Sequence, residues 1–250
     1  MRDGKPATGQ TGPVTDDASQ ALVAARVPGA AALGLVAPPS AAVVPGVLLA
    51  DPAWTAEMLA ARAARQRTED RRVLATVWWY STSSVLLGPV LAGLVTGVGL
   101  SARLGDTTVH ALEGPVPIAA TTTGRSAAHL VEDLRTTLGA VVAAVAEAGG
   151  TRERPLWAIA TDSLANRLLA VGRAVGDVPA ATALAGPLAA AVGAPLPAPR
   201  YVDVRGVRFT RRASCCLLYR VPHEPMCTSC PHRDPATRQV LLEDAAERWG

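Results

Sequence analysis

All four cysteines of this 250-residue chain lie in one short stretch near its C-terminus: Cys215, Cys216, Cys227 and Cys230. Two of them are adjacent, ten residues follow, and a C-x-x-C pair completes the pattern. Buried structural cysteines are usually dispersed through a core as small apolar residues. Thiolates within reach of one another instead favour soft metals such as zinc, copper(I) or iron–sulfur clusters. The clustering therefore predicts a metal or iron–sulfur site.

Three kinds of site use four cysteines, and the spacing separates them only in part. Disulfides are typical of small, cysteine-rich secreted scaffolds, whereas this chain is long and poor in cysteine. A structural zinc ion suits the hook Cys227–Cys230 but not the adjacent pair, because neighbouring side chains of an extended strand point to opposite faces. A [2Fe–2S] cluster holds its outer ligands further apart and tolerates an irregular pair better. Zinc and iron–sulfur both remain open at this point.

The residues around the cysteines extend the pattern into a longer motif. It has the form R-x-S-C-C-L-x-Y-R over residues 212–220 and C-x-x-C-P over residues 227–231. This motif resembles the C-terminal signature of the FhuF-like family of ferric-siderophore reductases. The resemblance implies a [2Fe–2S] cluster bound by the four cysteines. It also implies an iron–sulfur oxidoreductase that reduces ferric siderophore by one electron in the cytoplasm and so releases Fe(II).

Positive charge is concentrated around the cysteines. The formal net charge of the whole chain is +3, which does not suggest a nucleic-acid binder. Residues 200–238 hold eight arginines against three acidic residues, so the remainder of the chain is net negative. Positive charge near an anionic cluster favours the uptake of an electron. Arg211, Arg212 and Arg220 are therefore candidates for docking or tuning, and His223 is a candidate for tuning by hydrogen bonding or a plain surface residue.

The sequence contains no nucleotide-binding or hydrolytic motif. It has no glycine-rich dinucleotide fingerprint, no P-loop and no Ser-His-Asp arrangement. We therefore expect electrons to come from an external donor of the ferredoxin or flavodoxin type, since an acidic partner suits a basic surface. Two alternatives of other classes are an iron- or redox-sensing cluster protein without turnover and a binding module stabilised by zinc.

Helical periodicity and capping residues predict a mostly helical chain. Asp51-Pro52 suits a helix start, because the aspartate accepts from free amides and proline fits the first turn. A long helix with an apolar stripe is expected after a Ser126 cap and ends at Gly149-Gly150. Further helices are predicted from Asp16 or Asp17 to about Val27, from Thr68 to about Leu87, from Pro155 through Val171, from Asp177 to Gly193 and from Asp234-Pro235 to Trp249.

Two β-hairpins complete the predicted fold. Residues 99–104 and 107–112 alternate around Gly105-Asp106, with a third strand at 116–120. A second hairpin over residues 201–210 leads directly into the cysteines. We therefore predict an α+β fold, predominantly α-helical with small antiparallel β elements, with a C-terminal cysteine-rich loop followed by a short helix.

The chain length fits one domain. We expect a disordered tail over residues 1–15, rich in Gly, Pro and Thr, and a single domain over residues 16–250. Its cluster-binding segment is residues 200–250. The N-terminus is polar and mixed in charge, unlike a signal peptide, which again favours a cytoplasmic protein.

The apolar stretch 73–102 is the strongest membrane candidate. Residues 81–84 are Ser and Thr, and the apolar part after them is shorter than the roughly 18–20 residues that a span needs. We therefore predict no transmembrane span but a buried helix, with peripheral membrane contact as an alternative. Trp78, Trp79 and Tyr80 in this stretch either stack on a siderophore or pack in the core.

Overall fold

The computed structural model describes residues 16–112, 116–124 and 128–249. Within them the chain is α+β and predominantly helical, with one three-stranded and one two-stranded antiparallel sheet. The predicted fold class is therefore confirmed. The predicted disordered tail over residues 1–15 and the Ser126 cap lie outside the described residues.

The helices begin and end largely at the capping residues that the sequence contains. Asp51 accepts hydrogen bonds from the amides of Ala53 and Trp54, and Asp70 accepts one from Val73, 3.1 Å away. The helices are α1 (Asp16–Arg26), α2 (Pro52–Gln66), α3 (Arg71–Thr96), α4 (Leu130–Gly149), α5 (Glu153–Val175), α6 (Val178–Ala183), α7 (Ala185–Val192) and α8 (Pro235–Trp249).

Helices α3 and α5 form the centre of the core. Trp78 and Trp79 of α3 are buried, and the Trp79 indole donates to the carbonyl of Leu156 at 2.8 Å. The hydroxyls of Ser83 and Ser163 share a hydrogen bond of 2.7 Å across the two helices. The predicted end of α3 near residue 87 is too early, because its apolar surface is covered by α4, α5 and the first sheet. Tertiary packing thus carries the helix past Pro89.

No helix among the described residues combines the length and the apolarity that crossing a bilayer requires.

The first sheet has the order β1-β2-β3, with β1 (Ala42–Pro45), β2 (Thr107–Leu112) and β3 (Val116–Thr122). The predicted pairing of residues 99–104 with 107–112 is wrong: β2 pairs with β1 and β3 instead. Ser101 shows why, because its backbone bonds to the end of β3, donating to the Gly124 carbonyl and accepting from the Thr122 hydroxyl. The alternating pattern of residues 99–104 reflects burial of Leu100 and Ala102, not a strand.

The second sheet is the predicted hairpin of β4 (Tyr201–Val204) and β5 (Val207–Thr210). Its turn uses Arg205 and Gly206, both with positive φ. Helix α8 packs on it through Leu242 and Ala246, which contact the buried Val204 and Phe209. The helical periodicity predicts Val240, Leu241 and Ala245 as its buried side, but the structure buries Leu242 and Ala246 and leaves Val240 largely exposed. The hairpin and α8 together flank the cysteine segment, residues 211–233.

Candidate metal centre

Strand β5 ends at Thr210 and delivers the cysteine segment to one end of α3. The segment is irregular apart from a short 3-10 helix over Leu218–Arg220. Leu217 and Val221 are buried against Val73 and Val77 in the first turns of α3. Apolar packing on both sides of this 3-10 helix therefore fixes where the first cysteine pair lies.

The backbone turns sharply directly after the adjacent cysteines. Leu217 has φ of +59°, a left-handed conformation that costs a residue with a side chain on the order of 1 kcal/mol. In this turn the Leu217 amide donates to the sulfur of Cys215 at 3.4 Å. In an extended strand the side chains of Cys215 and Cys216 would point to opposite faces. Because the backbone turns here, the two sulfurs are no longer forced apart in this way.

The four cysteines are free thiols, and the fold brings their sulfurs together. The sulfurs of Cys215 and Cys230 are 3.8 Å apart. Those of Cys216 and Cys227 both accept from one guanidinium nitrogen, Nη1 of Arg212, at 3.6 and 3.5 Å. The C-x-x-C hook closes through a hydrogen bond from the Cys230 amide to the Cys227 carbonyl, 3.1 Å long.

Asp162, in the middle of α5, holds the start of the cysteine segment. Its carboxylate accepts from the amides of Ala213 at 2.7 Å and Ser214 at 3.1 Å, and from Nε of Arg212 at 3.3 Å. The aspartate is 1 % exposed. Asp162 was not among the candidate site residues, although an acidic residue among the apolar residues of a core helix is a signal, since a buried carboxylate needs partners.

Arg212 connects this carboxylate to the sulfurs. It is 7 % exposed, and its guanidinium carbon lies 4.9 Å from the centre of the Tyr80 ring. Nε reaches Asp162 and Nη1 reaches two sulfurs, while Nη2 has no partner among the described residues. A buried guanidinium with a free donor beside four thiols fits a bound anionic group, which would satisfy the remaining N–H.

The two cysteines of the first pair, Cys215 and Cys216, have pKa values shifted in opposite directions. The hydrogen bond from Cys215, assisted by the Arg212 guanidinium, lowers the pKa of Cys216 to about 5 against the opposing effect of burial. The same hydrogen bond raises the pKa of the Cys215 thiol. The lowered pKa favours the thiolate form of Cys216, the form in which cysteine binds metal. Burial raises the pKa of Asp162, although Arg212 and the two amides lower it.

The other residues proposed from the sequence divide between surface and core. Arg211 and His223 are exposed, as is Arg220 in the 3-10 helix. Trp78 and Trp79 are buried in the core and thus unavailable to stack on a ligand.

Two arginines that the sequence analysis did not single out hold the C-x-x-C hook. Arg233 donates through Nε to the Cys227 carbonyl, and Arg238 of α8 donates through Nη1 to the Cys230 carbonyl, both at 3.3 Å. Arginine is abundant in this part of the sequence, so nothing distinguished these two residues from the other arginines. Helix α8 thus contacts the segment directly.

The sulfur positions fit thiolate ligation. Two thiolates bound at about 2.3 Å to one tetrahedral metal lie about 3.8 Å apart, the separation found for Cys215 and Cys230. Throughout residues 16–112, 116–124 and 128–249, no three His, Cys, Asp or Glu side chains form a group suited to a single metal ion. The sulfur of Cys215 instead contacts those of Cys230 and Cys216, and Nη1 of Arg212 lies between those of Cys216 and Cys227.

Comparison with known families identifies this segment. Residues 212–232 match the FhuF 2Fe-2S C-terminal domain. The resemblance carried by the cysteine motif is thereby confirmed for the FhuF-type segment, and the cofactor that it supports is a [2Fe–2S] cluster. No curated protein and no solved structure matches the chain.

Proposed function

We propose that this protein is a ferric-siderophore reductase whose [2Fe–2S] cluster is bound by Cys215, Cys216, Cys227 and Cys230. The observation that carries the proposal is the convergence of these sulfurs within the FhuF-type segment. When bound, the cluster supplies one-electron transfer. These four thiolates would hold the cluster: the sulfurs of Cys215 and Cys230 are 3.8 Å apart, and those of Cys216 and Cys227 both face Nη1 of Arg212.

Residues of the protein position the cluster ligands and place a positive charge beside them. Asp162 fixes the backbone of Ala213 and Ser214, immediately before the first ligand pair. Arg212 places a positive charge against the sulfurs, which makes electron uptake more favourable. Cys216 and Cys230 are buried, so the surrounding segment limits solvent access, one of the factors that set a cluster's potential.

The reaction needs one electron and no proton transfer by the protein. An external donor of the ferredoxin or flavodoxin type loses the electron, and the Fe(III) of the chelate gains it. Hard oxygen donors hold Fe(III) more strongly than Fe(II), so reduction favours release of the metal. We place this reaction in the cytoplasm, where such donors and imported chelates meet.

The test is a single-turnover experiment under anaerobic conditions. Protein carrying its cluster is reduced with a slight excess of dithionite, desalted, and mixed with a ferric siderophore while the visible spectrum is recorded. The expected result is reoxidation of the cluster with one Fe(II), trapped by a ferrous chelator, formed per cluster. A cluster that stays reduced in the presence of excess ferric siderophore would defeat the proposal and leave a sensing role.

A further inference from the structure

A cavity of about 300 Å³ lies directly beside the cysteine segment. Four arginines line it: Arg200, Arg211, Arg212 and Arg238. None of the described residues that line it is acidic; the Asp162 carboxylate, bonded to Nε of Arg212, and the anionic cluster held by the cysteines would offset part of this charge, whereas Arg200 and Arg211 remain without an acidic partner among the described residues. The cavity is therefore a concave surface of concentrated positive charge, which attracts anions.

The cavity also has free hydrogen-bonding capacity. Thr210 lines it, is 6 % exposed, and has a hydroxyl without a partner among the described residues. Arg200 and Arg211 have no ion-pair partner there either. A buried polar group without a partner is costly, and paired N–H groups of arginine match the oxygens of carboxylates and similar anions. These features favour an oxygen-rich anionic ligand.

The position of the cavity connects it to electron transfer. Ser229 and Pro231, the neighbours of Cys230 on both sides, line its wall, and so does Ala213, two residues before Cys215. A ligand in the cavity would therefore contact the backbone that carries the ligating cysteines. At this volume, near the lower limit for ligand pockets, the cavity admits one arm of a chelate and not the whole molecule.

We propose that this arginine cavity, residues 200, 210–213, 229, 231, 238 and 242, binds the anionic face of the ferric substrate. The inference rests on the proposed function and names its substrate class.

Three hydroxamates neutralise the charge of Fe(III), whereas three catecholates leave a net negative complex. The cavity thus selects ferric chelates with catecholate or carboxylate oxygens. One electron passes from the reduced cluster to Fe(III), giving Fe(II) and the oxidised cluster, with no bond to the protein formed or broken.

Binding is tested with gallium(III) complexes, which keep the charge of the ferric complex but take no electron. Calorimetry on the cluster-loaded protein compares a gallium tris-catecholate with a tris-hydroxamate of similar size. We expect at least tenfold tighter binding of the tris-catecholate. Arg211→Gln and Arg200→Gln should each weaken it about tenfold, since a charge-assisted hydrogen bond contributes about 1.5 kcal/mol or more. Neither substitution should change binding of the tris-hydroxamate.

Two further variants separate local contact from general charge. Arg220→Gln removes the same charge from the cysteine segment, outside the cavity, and should change binding less than twofold. Thr210→Val removes the unpartnered hydroxyl while keeping its shape, so it should weaken binding without lowering the melting temperature. Equal affinity for the two complexes, or equal effects of Arg211→Gln and Arg220→Gln, would overturn the proposal.

Mixing the reduced protein with the two ferric complexes distinguishes this proposal from the proposed function. If gallium tris-catecholate binds selectively but no ferric complex oxidises the cluster, the function fails and the site stands. If both complexes oxidise it at equal rates and Arg211→Gln changes neither rate, the site fails and the function stands. Should the arginine variants slow only the reduction of the cluster by a ferredoxin, the cavity is a docking surface for the donor and the proposal is wrong.

Discussion

Two arginines four residues apart in the chain, Arg208 and Arg212, pair with aspartates in opposite environments. Arg208 and Asp203, on the β4–β5 hairpin, form a two-pronged contact with both N–O distances at 2.8 Å, and their side chains are 31 % and 54 % exposed. Arg212 and Asp162, at the cysteine segment, meet at 3.3 Å with side chains 3 % and 2 % exposed. The exposed pair has the better geometry, whereas the buried pair holds the site.

The difference shows that environment, more than geometry, decides what each pair contributes. Water solvates the partners of an exposed pair when they separate, so its net contribution is typically below about 1 kcal/mol. A buried pair gains little over an apolar replacement, but removing one partner leaves a charge with neither water nor a counter-ion. Asp162 also accepts from two backbone amides, so its loss releases the backbone in front of Cys215.

Asp162→Asn has the largest expected effect. The amide keeps the shape and one acceptor oxygen, but it leaves the Arg212 charge buried without its partner. We expect the free energy of unfolding of the cluster-free protein to fall by about 3–5 kcal/mol. The content of iron and acid-labile sulfide should fall as well. Urea unfolding and chemical analysis of the purified protein measure the two effects.

A second substitution identifies the cause of that loss. Combining Asp162→Asn with Arg212→Met removes the isolated charge and should restore part of the stability, though not the cluster's normal potential. If Asp162→Asn alone changes the free energy of unfolding by less than about 1 kcal/mol, the buried pair behaves like an exposed one. The contrast between the two environments would then be lost.

The sequence predicted the parts of this arrangement that depend on local patterns. The cysteine spacing indicated the site, capping residues such as Asp51 indicated helix starts, and the pattern of residues 201–210 indicated the second hairpin. Asp162 was missed because its partners are about fifty residues away in sequence. The alternation of residues 99–104 predicted a strand because burial of every second residue has the same pattern in a strand and in an irregular segment.

Arg212→Gln should change the redox properties of the site, and it should also lower the stability, since the buried Asp162 carboxylate loses its counter-ion and keeps only its two backbone amide donors. The glutamine retains hydrogen-bonding capacity but removes a positive charge whose Nη1 lies within 3.6 Å of two sulfurs. If the lost charge makes reduction of the cluster less favourable by about 1.4 kcal/mol, the potential of this one-electron couple falls by about 59 mV. We therefore expect the reduction potential to fall by roughly 60 mV, measured by an EPR-monitored redox titration.

Arg212→Lys and Arg208→Gln are the matched controls for that measurement. Lysine keeps the charge but cannot reach Asp162 and the sulfurs at once, so the fall in potential should be smaller. Arg208→Gln removes an equal charge four residues upstream at the surface, where salt and water screen it, and should leave the potential nearly unchanged. A potential that is the same in the Arg212→Gln variant and the unsubstituted protein would contradict a tuning role.

Asp203→Asn, at the exposed pair, has the smallest expected effect. Arg208 retains a hydrogen bond to the Thr182 hydroxyl at 2.8 Å and lies over the Tyr201 ring, so it is not left alone when the carboxylate is removed. The free energy of unfolding at neutral pH should fall by less than about 1 kcal/mol, and less still in high salt. Urea unfolding at low and high salt measures this.

The pH dependence of the same variant tests the role of the carboxylate charge at the exposed pair. The hydrogen bond from Arg208 lowers the pKa of Asp203, so the stability it contributes is present above the ordinary aspartate pKa of about 3.9 and is lost as the pH falls through the lower folded value. The stabilities of the variant and the unsubstituted protein should therefore converge at a pH well below the ordinary aspartate pKa. A difference that persists at that pH would mean that Asp203 acts through packing and not through its charge. The exposed pair would then resemble the buried one in having a structural role beyond its electrostatics.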